Sequence, residues 1–178
     1  MQNIIAIENG VTRHPLYRMK EPVNMTLAAG EHIAVVGRNG AGKSTLLKII
    51  AGILRPTAGS ILLDNEPVSK LGEHYRAMLG YMPQDLGIYP EFTAKRYLLY
   101  IAALKGLTEA QAKAEIDKLL ETVGLSSNAE QKLKGFSGGM LRRVGIAQTL
   151  LCNPQILLLD EPTAGLDPQE RVRLRNLL

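Results

Sequence analysis

Apolar residues recur along this chain with two different periods. Residues 1–85 and 152–178 contain short apolar runs, alternating or continuous, which are typical of β-strands. Residues 86–151 lack such runs and place apolar residues three and four positions apart, as amphipathic helices do. This order of elements predicts an α/β core, formed by about residues 1–85 and 152–178, with a helical subdomain of about residues 86–151 inserted into it.

Several short segments have the apolar pattern and the flanking turn residues of β-strands. The first is closed by Asn9-Gly10, a dipeptide typical of tight turns. The third is continuously apolar, which suits a strand buried on both faces. The predicted strands cover residues 3–8, 23–27, 32–36, 60–64, 79–82 and 155–159.

Helices are predicted where capping residues and glycines bracket apolar residues at helical spacing. Thr108 with Gln111 three residues later has the pattern of a capping box. Gly52 and Gly124 are placed to end helices, and Asp167 is a suitable cap for the last one. The predicted helices cover residues 43–51, 93–105 and 108–123 and begin again at residues 137 and 168, whereas residues 67–72 are predicted to begin a loop.

The bulk composition limits the classes of protein to consider. At 178 residues, of which 46% are apolar, the chain has the size of one globular domain. Its net charge is +4 and its basic residues are scattered, so charge indicates no nucleic-acid partner. A single cysteine, Cys152, excludes an intramolecular disulfide framework, and its apolar neighbours predict a buried, unreactive thiol. Neither a signal peptide nor a run of about 18 apolar residues is present, so we expect a cytoplasmic protein that does not cross a membrane by itself.

A glycine-rich turn lies between the third predicted strand and the first predicted helix. Its glycines, Lys43 and Ser44 have the spacing of a phosphate-binding loop. In such a loop, backbone N–H groups converge on an anion, the lysine reaches the terminal phosphates, and the serine hydroxyl binds Mg²⁺. The predicted nucleotide-binding residues are Gly37, Arg38, Asn39, Gly40, Ala41, Gly42, Lys43, Ser44 and Thr45.

Tyr17 is a further candidate contact for a nucleotide. It is the only aromatic residue ahead of the loop, and it lies in an irregular stretch between Pro15 and Pro22. Its ring could stack on the base, and the alternative is an ordinary loop tyrosine.

The last predicted strand ends in two carboxylates, Asp160 and Glu161. Mg²⁺ prefers hard oxygen ligands and usually keeps several waters, so Asp160 can bind it through water beside Ser44. Glu161 can orient or deprotonate a water molecule in line with the γ-phosphate. The strand at residues 79–82 delivers Gln84 to the carboxyl edge of the sheet, where α/β proteins generally bind ligands.

Ser137-Gly138-Gly139 opens a predicted helix and forms a second glycine-rich turn. Two glycines behind a serine leave backbone N–H groups accessible at the positive end of a helix, which favours an anion. One nucleotide rarely needs two such sites, so we expect this turn to serve a nucleotide that another copy of the domain holds. The alternative is a glycine-relieved helix cap without a ligand.

These motifs, in this order, resemble those of the nucleotide-binding domain of an ATP-binding cassette (ABC) transporter, over essentially the whole chain. Residues 37–45 are similar to the Walker A motif and residues 156–160 to Walker B. Gln84 resembles the Q-loop glutamine, residues 137–139 the family signature, and residues 164–167 the D-loop. The fold that this resemblance implies is an α/β P-loop NTPase (RecA-like) core with an N-terminal antiparallel β element and an inserted helical subdomain.

The resemblance also implies an activity and partners. The ligands would be ATP and Mg²⁺, and the reaction would be ATP hydrolysis with Lys43 on the phosphates and Glu161 as the catalytic base. Gln84 would touch the metal and sense the transmembrane partner. A second nucleotide-binding domain would complete a head-to-tail dimer with two ATP molecules between the loop of one domain and the signature of the other. The dimer would drive separate transmembrane permease subunits and lie at the inner face of the cell membrane.

Met140 departs from the family pattern, which usually has glutamine after the two glycines. This variant, with the residues at positions 141–143 and 145–148, resembles exporters of the ABC-2 type, including drug- and antibiotic-resistance pumps. It indicates export rather than import.

The end of the chain departs from the family pattern as well. The family has a further strand and a switch histidine well beyond Walker B, whereas residues 162–178, which follow Glu161, contain no histidine. We therefore expect residues 1–178 to form one carboxyl-terminally truncated nucleotide-binding domain with an open sheet edge. Such a domain is expected to bind nucleotide weakly and to hydrolyse it poorly.

Two other interpretations are open. A soluble ABC-type ATPase that acts on ribosomes or DNA usually carries two cassettes or a long coiled coil, whereas only a short helical stretch separates Ser44 from Ser137 here. A P-loop kinase or GTPase would have no use for a signature-like turn and would lack its base-specificity motif. The sequence favours a transporter subunit.

Overall fold

The computed structural model describes residues 5–11, 13–14, 17–18 and 21–177. The chain divides between Met78 and Leu79 into two compact units. None of the described helices is long and apolar enough to span a bilayer.

The first unit is built on an antiparallel sheet. Its described strands are β1 (Ile5–Val11), β2 (Arg13–His14), β3 (Tyr17–Arg18), β4 (Val23–Leu27), β5 (Ala58–Leu63) and β6 (Glu66–Pro67). β2 pairs with β3, and the other four strands form one sheet in the order β4-β1-β5-β6. Ile5 and Ile7 of β1 and Ile61 and Leu63 of β5 are buried, because alternate side chains of a strand point to the same face. The antiparallel element predicted for this part of the chain is confirmed.

Asn9-Gly10 is a β-bulge within β1 and not the turn that its sequence predicts. The register of β1 against β4 shifts between Ile7 and Gly10. Asn9 has the left-handed φ of 50° and donates its backbone N–H to the side-chain oxygen of Asn24 at 2.8 Å. Asparagine and glycine tolerate such a backbone in bulges as well as in turns, so the dipeptide alone does not distinguish the two.

Residues 32–36, predicted as a strand buried on both faces, form no strand. The side chains of Ile33, Val35 and Val36 are 45%, 37% and 89% exposed, and none of the described strands pairs with this segment. A strand needs a neighbour for its backbone N–H and C=O groups as well as burial for its side chains. The apolar run predicted burial, but it carries no information about a pairing partner.

Three helices complete the first unit. α1 (Lys43–Ile50) ends where its sequence predicts, and Gly52 follows with a φ of 70°. α2 (Val68–Leu71) and α3 (Glu73–Ala77) replace the loop predicted at residues 67–72. That prediction was wrong because each helix is shorter than the window in which helical periodicity can be recognised. The buried Tyr75 donates its hydroxyl to the carbonyl oxygen of Ile50 at 2.7 Å, which joins α3 to the end of α1.

The second unit combines a pair of parallel strands with helices. β7 (Leu79–Met82) pairs with β8 (Ile156–Leu159), with Met82 opposite Leu159. The helices are α4 (Ala94–Leu104), α5 (Glu109–Thr122), α6 (Gly138–Leu150) and α7 (Pro168–Leu177), with 3₁₀ turns at Ser126–Asn128 and Leu133–Gly135. Residues 83–155 are all described and contain no strand beyond an isolated bridge. The helical character predicted between the two strands is confirmed.

Side-chain caps begin α4, α5 and α6, and the sequence predicts the one at Thr108. Thr93, Thr108 and Ser137 each accept a hydrogen bond from the backbone N–H three residues later. Thr108 and Gln111 complete the capping box. Behind these caps α4, α5 and α6 share one apolar core, whose fully buried members include Leu98, Ala102, Ile116, Leu120, Val144 and Ala147.

Cys152 follows α6 and is half-buried, which is less than its apolar neighbours predict. Burial raises the pKa of its thiol, the Lys105 ammonium lowers that pKa, and the Glu115 carboxylate raises it. A net raised pKa keeps the thiol protonated at neutral pH, in agreement with the low reactivity predicted for it.

Gly80 of β7 lies directly against the end of α6. A β-carbon at this residue would meet the carbonyl oxygen of Thr149 and would lie 2.9 Å from side-chain atoms of Leu157 and Pro154. The carbonyl oxygen belongs to the backbone and cannot rotate away, so only glycine fits. This close approach fixes β7 against α6.

Gly80→Ala is expected to lower the free energy of unfolding by about 1 to 3 kcal/mol, the usual cost of overpacking. Urea denaturation followed by circular dichroism measures the change. Gly135→Ala is the matched control, because a β-carbon there would meet the flexible end of the Gln131 side chain at 3.2 Å. Equal denaturation midpoints for the two variants would contradict the close packing of β7 on α6.

Candidate functional site

The predicted phosphate-binding loop leads from Gly37 into the first turn of α1. Gly40 and Gly42 have φ angles of 78° and 102°, which glycine adopts without strain. Gly42 immediately precedes α1, and no side chain caps the helix. Uncapped N–H groups at the positive end of a helix dipole attract an anion.

Lys43, the first residue of α1, turns back across the loop. Its Nζ donates hydrogen bonds to the carbonyl oxygens of Gly37 at 3.0 Å and Arg38 at 3.2 Å. Ser44 and the buried Thr45 follow in the same helical turn. A positive charge and uncapped N–H groups therefore lie within one short segment, which is the arrangement that binds phosphate groups.

Parallel pairing brings the carboxyl ends of β7 and β8 together. The backbone N–H of Asp160 donates to the carbonyl oxygen of Met82 at 2.9 Å and so extends the strand pairing. Beyond it, Nε2 of Gln84 donates to Oε2 of Glu161 at 3.4 Å. The sequence predicted Gln84 and Glu161 each at the carboxyl end of a strand, and the structure shows that these two strands are neighbours.

The two adjacent carboxylates have different environments. Asp160 is 3% exposed, whereas Glu161 is half-buried and has a φ of 50°. A left-handed backbone at a residue other than glycine costs about 1 to 2 kcal/mol, and such strain is concentrated at functional sites. Asp160 is therefore suited to bind a cation, and Glu161 to contact water.

Tyr81 of β7 is a neighbour of Asp160 that sequence reasoning missed. Its hydroxyl is buried and has no hydrogen-bond partner among the described residues. Burial raises the pKa of the phenol, and the negative charge of Asp160 raises it further. Tyr81 therefore stays neutral and able to donate a hydrogen bond near the buried carboxylate. The available signal was a polar aromatic residue inside an apolar strand, three positions ahead of Gln84.

Arg142 of α6 holds the segment that follows β7. Its Nη1 donates to the backbone carbonyl oxygen of Gln84 at 2.9 Å. The hydroxyl of Tyr97, on α4, donates to Oε1 of Gln148 at 2.6 Å and lies 3.4 Å from the carbonyl oxygen of Leu86. Arg142 thus fixes the backbone of Gln84, and this contact does not follow from spacing within a single element.

The first turn of α6 contains the second predicted anion site. Oγ of Ser137 accepts the backbone N–H of Met140 at 3.2 Å. Gly138 is exposed, and a β-carbon there would have no atom within 4 Å. Gly139 is half-buried. The outer side of this turn can therefore accept a group from outside the chain.

Two parts of the predicted site stay predictions. The side chain of Tyr17 lies outside the described residues, so its stacking on a base is untested. The shared binding of one Mg²⁺ ion by Ser44 and Asp160 is untested as well. Within the described part of the chain, no group of three or more His, Cys, Asp or Glu side chains is placed to hold a metal ion.

Comparison with known proteins gives a family match for residues 20–164, to the family described as ABC transporter. A Nod factor export ATP-binding protein of Burkholderia thailandensis is 46% identical over 153 residues, which cover 84% of this chain and 50% of that protein. The linearmycin resistance ATP-binding protein LnrL of Bacillus subtilis is 38% identical over 149 residues, which cover 84% of this chain and 48% of that protein. The chain spans about half the length of these curated relatives.

A solved structure gives the same result. The chain superimposes on cbiO1 of Clostridium perfringens, part of the ABC transporter complex cbiONQ, with a TM-score of 0.83 and 31% identity. The alignment covers 99% of this chain and 72% of that one. The P-loop NTPase fold is thereby confirmed. The interpretation as a P-loop kinase or GTPase is wrong, because the match is to ABC proteins.

Arg142→Ala is expected to loosen residues 83–87 without unfolding α6, because it removes the hydrogen bond to the carbonyl oxygen of Gln84. Amide hydrogen exchange in this segment should become about fivefold faster, as the loss of a bond of about 1 kcal/mol implies. Exchange in β8 should stay unchanged. Lys118→Ala, which removes an exposed cation from α5, is the control, and equal exchange in both variants would show that Arg142 does not hold the segment.

Proposed function

The chain belongs to the ABC transporter family, and on that premise we propose that it forms the ATP-binding and ATP-hydrolysing subunit of a transporter. The observation that carries this proposal is the extent of the family match. Residues 20–164 include the phosphate-binding loop, Gln84, the first turn of α6 and the pair Asp160-Glu161. Every predicted site residue except Tyr17 therefore lies within the matched region.

Residues 37–45 bind the phosphates of ATP in this proposal. The uncapped first turn of α1 and the Lys43 ammonium provide positive charge on one short segment. A hydrogen bond to a charged group contributes about 1.5 to 3 kcal/mol, so Lys43 should account for much of the affinity. Tyr17 is the candidate for contact with the base.

Mg²⁺ fits the oxygen donors that the chain supplies. The Ser44 hydroxyl, the Asp160 carboxylate and the Gln84 amide oxygen are hard ligands of the kind that this ion prefers. Gln84 donates through its nitrogen to Glu161, and its oxygen remains available as a ligand. When bound, the ion would neutralise negative charge on the phosphates.

Glu161 is the proposed catalytic base. Gln84 holds Oε2 of its carboxylate, and the other oxygen is free of that bond and can take a proton from water. The water oxygen then attacks the γ-phosphorus, and the bond to the leaving ADP oxygen breaks. Lys43 and the N–H groups of α1 stabilise the charge on the transferred group.

Ser137, Gly138 and Gly139 form half of a second nucleotide site. The exposed first turn of α6 can present its N–H groups to the phosphates of ATP held by a second nucleotide-binding domain. Closing both halves on ATP gives a head-to-tail dimer. The association is driven by ATP and reversed by its hydrolysis.

Transmembrane permease subunits are the proposed partners, and they hold the protein at the inner face of the cell membrane. The Burkholderia relative is named for Nod factor export and the Bacillus relative for linearmycin resistance. These names and the Met140 variant of the signature support export as the direction of transport.

Lys43→Ala is expected to weaken Mg-ATP binding about tenfold to a hundredfold, because a charged hydrogen bond of about 1.5 to 3 kcal/mol is lost. Isothermal titration calorimetry measures the affinity. Lys70→Ala removes an exposed lysine at the end of α2 in the same unit and serves as the control. If Lys43→Ala bound Mg-ATP as tightly as the control, the loop would not be the nucleotide site.

Glu161→Gln is expected to reduce ATP turnover about a hundredfold or more while ATP binding is retained. Glutamine keeps the shape of the side chain and an oxygen acceptor for Gln84, but it cannot take a proton. Phosphate release at saturating ATP and a separate binding measurement distinguish the two effects. Glu121→Gln, exposed on α5, is the control, and wild-type turnover in Glu161→Gln would place the base elsewhere.

A further inference from the structure

The two glycines at the start of α6 have different neighbours within the chain. A β-carbon on Gly139 would overlap Oε2 of Glu170, a residue of α7, and would lie 2.8 Å from its carboxyl carbon. A β-carbon on Gly138 would have no atom within 4 Å. Within the chain, a side chain therefore occupies the space beside Gly139, whereas the space beside Gly138 is open.

Arg143 holds the Glu170 carboxylate in this place. Its Nη2 lies 3.6 Å from Oε1 of Glu170, and its Nη1 donates to the carbonyl oxygens of Val123 and Gly124 at 3.3 and 3.2 Å. The Arg143 and Glu170 side chains are only 24% and 18% exposed. Arg143 thus joins α6 to α7 and to the end of α5.

The carboxylate oxygen over Gly139 has no hydrogen-bond partner among the described residues, although it is buried. An unpaired buried oxygen is costly, so its position needs a compensating interaction. The positive end of the α6 dipole supplies one, because the oxygen lies against the first turn of that helix. The negative charge of the Glu170 carboxylate and the absence of a side chain at Gly139 together favour this position of Glu170.

α7 also connects this contact to the proposed catalytic segment. The helix begins at Pro168, shortly after Glu161, and Asp167 caps it by accepting the backbone N–H of Glu170 at 2.8 Å. Displacement of α7 would therefore reach the first turn of α6 through the Glu170 carboxylate.

We propose that Glu170 is a positioning residue that fixes the direction of the first turn of α6, and that Gly139 is glycine in order to admit its carboxylate. This role rests on the proposed function, in which that turn faces the ATP of a second domain. Glu170 contacts no nucleotide and acts through Gly139 and Arg143. The competing explanation is that Gly139 must be glycine because the nucleotide itself approaches it closely.

Thermal unfolding tests the contact without reference to ATP. Gly139→Ala is expected to lower the Tm by about 3 °C or more relative to Gly138→Ala, which adds the same methyl group to the same turn. In a Glu170→Ala background the two alanine substitutions should have equal effects. If the Tm cost of Gly139→Ala is the same in both backgrounds, the proposed contact is wrong.

ATP turnover tests the positioning role, at a temperature well below unfolding. Gly139→Ala should lower ATP turnover at saturating ATP about fivefold or more. The affinity of the protein for ATP should stay unchanged. The same substitution in the Glu170→Ala background should have little further effect. Glu170→Gln, which keeps the shape but loses the charge, should show an intermediate loss.

An equal loss of turnover from Gly139→Ala in both backgrounds would show that the glycine serves the nucleotide and would overturn the positioning role. Failure of the proposed function is separate, because it would appear as wild-type protein that binds no Mg-ATP. The thermal comparison would still decide whether Glu170 and Gly139 are in contact.

Discussion

The parallel pairing of β7 with β8 is the constraint on which the second unit depends. With Met82 opposite Leu159, both strands leave the sheet at one edge, and Gln84 reaches Glu161. A slip of one residue would turn every side chain of a strand to the opposite face. It would also take Asp160 out of its buried position. The contact of Gly80 with α6 fixes the pair from one side.

α6 connects the parts of the site that lie in the second unit. Consecutive residues of a helix point about 100° apart, so Arg142 and Arg143 reach different neighbours. Arg142 holds the backbone of Gln84, while Arg143 holds Glu170 on α7. Gly139 lies in the first turn of the same helix, just before Arg142 and Arg143. A rigid rotation of α6 would therefore alter the surroundings of Gln84 and Glu170 together.

The parts of the fold that were predictable from sequence have local causes. The capping box at Thr108 and the cap at Ser137 act within one turn, and each was recognisable from neighbouring residues. The strand predicted at residues 32–36 is wrong, because strand pairing depends on a partner strand elsewhere in the chain. The sequence could locate Asp160 at a strand end but could not identify Tyr81 as its neighbour, since that contact crosses between two strands.

Lys43 already has partners within its own loop, the carbonyl oxygens of Gly37 and Arg38. In the proposed function, phosphate binding by this side chain is therefore an exchange, in which two backbone carbonyls release the ammonium and return to water. Both carbonyls belong to exposed residues, so rehydration offsets most of the loss. Until that exchange the lysine joins the two carbonyls and limits the conformations of the loop. The ammonium that is the proposed ligand contact thus also preorganises the backbone of the proposed binding loop.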